Sequence, residues 1–248
     1  MNARQPPGRQ SGQAMVETAL ALPLMVFLIL GTLQLFLMFQ GRVLAQYAAF
    51  RATRAGSVNH GNCERMKHAA VLALLPSFDS FLSPSKPGGS RAQKLALAFA
   101  ARRDNKFNPA RDSGHDGHIV WLIRESPLAA DVDGDQDRSF DQPGNLMRLE
   151  VRLIYWYPLR IPFANWVISR MFLAHLGLRD YTATNPLMPT DKDRWTRAPG
   201  SGTLRGDVRA ELLSRISSQQ YTLPIETSFT MRMMTPAIRA NFSSPMCR

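Results

Sequence analysis

Four aspartates stand at alternate positions in the stretch Asp131-Val132-Asp133-Gly134-Asp135-Gln136-Asp137. Hard cations take several oxygen ligands at about 2.3–2.6 Å, so the carboxylates of Asp131, Asp133, Asp135 and Asp137 can wrap a calcium ion. The stretch is not an EF-hand. Its twelfth position is Gln142 instead of Glu, and Gly134 falls two places early. A solvated acidic turn accounts for the same residues, so calcium is an optional ligand and no cofactor is required. The five histidines, His60, His68, His115, His118 and His175, form no zinc spacing with Cys63 and Cys247. No Gly-x-Ser-x-Gly elbow and no phosphate-cradling glycine loop occurs. The expectation is a protein that is not an enzyme. Two cysteines are too few for a disulfide scaffold, but Cys63 and Cys247 can pair in an oxidising compartment and tie the C-terminal tail to an early helix.

A carboxylate at the edge of an apolar run asks for a reason, because burying it in lipid is expensive. Glu17 is such a group, five residues after Gly12. One account leaves it solvated at headgroup level, favoured by the dipole of a helix that begins there. Another account uses the spacing. If the chain is cut after Gly12, Gln13 carries a free amine, and Glu17 of a neighbouring copy can pair with it. Between apolar helices such a pair is weakly screened, so it would reward one axial register.

The run that follows, Thr18 to Phe39, holds 22 residues without a charge. At 1.5 Å per residue it covers about 33 Å, enough for a hydrocarbon core of about 30 Å. It is longer than the apolar core of a signal peptide and continues into helix-compatible sequence. A single-pass membrane protein is expected. The arginines do not orient it: Arg4 and Arg9 precede the run, and Arg42, Arg51 and Arg54 follow. Pro23 either kinks the helix harmlessly or gives a flexible stretch for leaving the bilayer.

The remaining chain has the composition of a folded head, since 45% hydrophobic and 20% charged residues exclude a disordered chain and a multi-span channel. Gln40 to Gly56 should extend the helix, with Leu44, Tyr47, Ala48 and Arg51 on one stripe. Further helices are expected over Glu64–Leu75, ended by Pro76, over Arg91–Arg103, and over Pro162–Leu176, which is apolar but carries Asn165, Arg170 and His175. Strand patterns cover His118–Arg124, Leu146–Tyr157 and Tyr221–Met234, the last interrupted by Pro224. Helices followed by a few strands give an α+β class: a long N-terminal helix packed on a small antiparallel sheet. The net charge of +11 comes from scattered basic residues without a recognition motif, so nucleic acid is not expected as a partner.

The stretch GQAMVETALALPLMVFLILGTLQLFLMFQGRVLAQYAAFRATRAG resembles the N-terminus of TadE-like pseudopilins of tight-adherence (Tad, or Flp) pilus systems. The matching residues are Gly12, Glu17, Leu22-Pro23, Gly31 and the run Ala48, Ala49, Arg51, Ala52, Arg54, Ala55. The family usually has an aromatic after the glutamate, where this chain has Thr18. The resemblance implies cleavage between Gly12 and Gln13 by a prepilin peptidase on the cytoplasmic side. Residues 1–12 would be a leader, 13–57 a helix including the span 18–39, and 58–248 a periplasmic α+β head. It further implies a minor pseudopilin-like structural subunit in pilus assembly. Its partners would be other pilin and pseudopilin subunits, the peptidase, an inner-membrane assembly platform and membrane lipid. The alternative from a different class is an uncleaved, membrane-tethered module whose head binds calcium or an anion.

Overall fold

An uninterrupted apolar stretch rich in Leu and Ala favours helix over any other backbone state. In the computed structural model, helix α1 runs from Ser11–Val58, a length of about 72 Å. The structure describes residues 11–107, 117–132, 146–176, 182–184, 192–194, 204–218 and 220–247. Pro23 lies inside α1 and does not end it. Helix α2, Cys63–Phe78, is capped by the Asn62 side chain, which accepts from the Arg65 amide at 3.0 Å. Pro76 was expected to end this helix. The helix runs two residues further, because a proline in the last turn forfeits a single backbone bond and the Asp79 amide still reaches Leu75 O at 2.9 Å. Helix α3, Arg91–Ala100, is capped by Ser90 and stops three residues short of the expected Arg103.

Four strands form one antiparallel sheet: β1 (Val120–Ser126), β2 (Arg148–Pro158), and, later in the chain, two that occupy its edges. Helix α4 (Ala164–His175) follows β2, then a small hairpin of β3 (Thr182–Thr184) and β4 (Lys192–Arg194), then helix α5 (Gly206–Ser217). Strand β5 (Thr222–Arg232) pairs with β2 along its whole length, and the last strand, β6 (Met246–Cys247), pairs with β1. The order is β5-β2-β1-β6. Pro224 does not interrupt β5 as expected; β5 is an edge strand, where a missing N–H can face away from the ladder.

The sheet is covered on both faces. Val120, Leu122, Leu149, Val151, Leu153 and Tyr155 pack with α1 and α2 in one core. Trp121, Ile123, Ile154 and Trp156 point the other way and pack with Leu173 of α4 and Val208 and Leu212 of α5. The alternation read in β2 holds through Arg152 and then gives way to a buried run, Leu153–Tyr157. The second layer of helices is the reason: once both faces are covered, both must be apolar.

Candidate functional site

Helix α1 has two parts with opposite surroundings. From Met15 to Val26 every side chain is exposed, Glu17 included, and all but Glu17 are uncharged. Among the described residues α1 is the one helix long and apolar enough to cross a membrane. From Gln34 onward one face is buried by the head: Gln34, Gly41, Ala45, Ala48, Ala49, Ala52, Thr53 and Ser57. The spacing is that of a helical stripe, and the residues are small.

Small residues allow a helix to lie close against a sheet. A β-carbon built on Gly41 would come within 2.6 Å of the Tyr157 ring, and one on Gly56 within 2.7 Å of Leu149 and Met66. The close approach also permits polar ties. Thr227 Oγ1 donates to Ala45 O at 3.3 Å, and Ser57 Oγ donates to Arg232 O at 3.0 Å. The backbone amide of Ile161 donates to Gln34 Oε1 at 3.0 Å, just before α4. The stripe of Leu44, Tyr47, Ala48 and Arg51 does not face the sheet as a unit. Ala48 faces the sheet, while Tyr47 and Arg51 lie outward, with Arg51 Nη1 donating to the Tyr47 hydroxyl at 3.3 Å. The small side chains won the inner face because the sheet leaves no room for a ring.

The structure joins Cys63, at the start of α2, to Cys247, in β6, as a disulfide across 184 positions with Cα atoms 5.5 Å apart. Around it the tail is held by a buried guanidinium. Arg124 of β1 donates to Gly61 O at 3.0 Å and to Asn241 O and Ser244 O, and lies 4.6 Å from the Phe242 ring centroid. A second buried guanidinium, Arg215 of α5, donates from Nε to Glu211 Oε1 at 2.7 Å and from Nη2 to His118 O at 2.8 Å. It stacks 4.5 Å from the centroid of Trp156. Nothing in the sequence pattern marks either arginine as buried.

Asp131 has its carboxylate engaged locally, accepting from the Leu128 amide at 2.9 Å. Asp133, Asp135 and Asp137 lie outside the described residues. Among the described residues no cluster of three or more His, Cys, Asp or Glu could hold a metal. His68 meets Phe99 edge-on at 5.8 Å, and burial pushes its pKa below the usual 6.5 despite the nearby Glu64 carboxylate. Burial likewise raises the Tyr155 hydroxyl, which shares a 2.7 Å hydrogen bond with Ser77.

Gly12 and Gln13 lie in the first turn of α1, and Glu17 follows one turn later. Residues 12–54 match the family model of TadE-like protein. This interval takes in Gly12, Gln13, Glu17 and the helix as far as Arg54, and leaves the rest of the head outside it. No curated protein and no solved structure matches the chain.

Proposed function

We propose that this chain, TadE-like over residues 12–54, is a minor pseudopilin-like structural subunit in assembly of a Tad/Flp-type pilus. It would act through helix packing and head contacts. The observation that carries the reading is the division of α1. Its first part is apolar and bare of the head, with Glu17 near its start, while its second part is fixed rigidly into the head. Such a helix can be stored in a bilayer and later exchange lipid for the helices of neighbouring subunits without unfolding the head. The disulfide supports a head that lies in an oxidising compartment, hence the periplasm, with the N-terminus in the cytoplasm.

After cleavage between Gly12 and Gln13, the new amine would lie four residues from Glu17, about 6 Å along the axis. A neighbour displaced by about that distance would bring its own amine beside this carboxylate, which fixes register. The tethered-module alternative is not the reading that the match over residues 12–54 favours.

The test is the N-terminus of the protein taken from its native membrane, read by intact mass and terminal peptide mapping. A chain beginning at Gln13 is expected, and Gly12→Leu should keep the leader. Glu17→Ala should still be cleaved yet fail to assemble. A wild-type chain that retains Met1 to Gly12 beside an active peptidase would overturn the reading.

A further inference from the structure

Helix α4 is apolar on more sides than the head can cover. Ala164, Ile168 and Leu173 face inward. Phe163, Trp166 and Met171 face outward, at exposures of 56%, 42% and 61%. Phe163 stands at the N-cap, and Trp166 and Met171 lie about 140° apart around the helix, so they bound a broad outward face, with Arg170 between them, that is more apolar than a soluble helix would show. The Arg170 guanidinium lies over the Trp166 ring, 5.1 Å from its centroid.

The position of this face along α1 decides what covers it. Phe163 has a left-handed backbone, φ 68°, and its ring meets Phe27 edge-on at 5.8 Å. Phe27 is well inside the apolar run. The part of α1 whose side chains are all exposed, Met15 to Val26, is 12 residues and covers only about 18 Å. A hydrocarbon core needs about 30 Å, which from Thr18, the start of the uncharged run, ends near Met38, one turn beyond Gln34. Gln34 is the residue that accepts the Ile161 amide at the entrance to α4. Phe163, level with Phe27, then lies about 16 Å inside that boundary, within the hydrocarbon. A bilayer thick enough for α1 therefore has to include the start of α4.

The geometry points to α4 as a second membrane contact. The face of Phe163, Trp166 and Met171 is dissolved in the acyl chains of the leaflet where α1 emerges, with Arg170 at its anionic headgroups. The occupant of the face is lipid, because the surface is continuous through Phe27 with the lipid-facing part of α1. Trp suits the boundary, with an apolar ring and one polar N–H, and an Arg stem can lie along apolar surface while its head reaches phosphate. The head is thereby held at one height and one rotation above the bilayer. This inference rests on the membrane reading of α1.

The test places a photoreactive diazirine amino acid singly at Leu24, Met171 or Met234 of the full chain in vesicles of phosphatidylethanolamine and phosphatidylglycerol. Met234 is exposed and bonded to Ser57 O, about 35 Å along α1 from Gln34. Lipid adducts are expected at Leu24 and Met171 in yields within a few-fold of each other, and none at Met234. Adducts at Leu24 with only water or protein adducts at Met171 would overturn the placement of α4 and leave the single span standing. Adducts at Met234 matching those at Met171 would mean that the head lies flat on the bilayer, which also overturns it. No lipid adduct at Leu24 would remove the membrane reading itself, and this inference with it.

Discussion

Gly41 has no side chain, and the ring of Tyr157 fills the space where one would be. In an exposed helix, Gly→Ala gains about 1 kcal/mol from propensity. At Gly41 the methyl would stand 2.6 Å from two ring carbons of a buried tyrosine, and such overpacking costs about 1–3 kcal/mol. At Gly31 nothing lies within 4 Å of the added carbon. The expected outcome is a lower melting temperature for the head of Gly41→Ala in detergent, and none for Gly31→Ala. Equal melting temperatures for both variants would mean that the sheet does not rest on this stripe. Gly56 should be intermediate, since its neighbours are the flexible ends of Leu149 and Met66.

Among the elements, β6 depends most on distant support. Two residues cannot hold a strand by backbone bonds alone. Its anchors are the Cys63–Cys247 disulfide and the Arg124 guanidinium, which gathers carbonyls from the chain just before it. Closing a loop of 184 positions gives a chain-entropy stabilisation of about 5 kcal/mol, and native disulfides of this kind are worth about 2–5 kcal/mol. The double variant Cys63→Ser, Cys247→Ser should lose that much stability by thermal unfolding. Amide exchange should rise first in residues 239–247 and β1, while α4 and α5 stay protected. Uniform exchange across the chain would show instead that the tail unfolds only with the whole head.

For the molecule as a whole, α1 is at once an anchor and part of the core. A chain beginning at Leu33 keeps Gln34, Gly41 and the alanine stripe that packs on β2 and β5. It should unfold cooperatively in mild detergent, with the near-ultraviolet dichroism of packed Trp121 and Trp156. A chain beginning at Asn59 keeps α2 but strips α1 from the part of the sheet it covers on β2 and β5, and should show no cooperative transition. Comparable folding of both would mean that α1 is an appendage. The same duality constrains assembly. If the chain serves as the proposed pilus subunit and α4 lies in lipid as inferred, leaving the bilayer would withdraw the α4 face together with the helix, and filament neighbours would have to cover both.

Some of this was legible in the chain itself. Length, apolarity and the absence of charge from Thr18 to Phe39 specify a membrane-length helix, because helix formation and hydrocarbon thickness depend on local composition. The placement of Gly12 and Glu17 before it, and the α+β class, were also local signals. Spacing put Leu44, Tyr47, Ala48 and Arg51 on one stripe of α1 but not which side meets the sheet, since spacing alone does not say whether large or small residues do. Helix α5 and the two-sided burial of β2 were missed, because they arise only when the second helical layer closes over Ile154 and Trp156. Arg124 and Arg215 gave no sequence signal, because a charge is buried only where backbone carbonyls or a carboxylate converge on it. The meeting of Phe163 with Phe27 lies between residues far apart in sequence. Composition sets what each segment prefers, and only the folded chain decides at what height along a long helix the head is fixed.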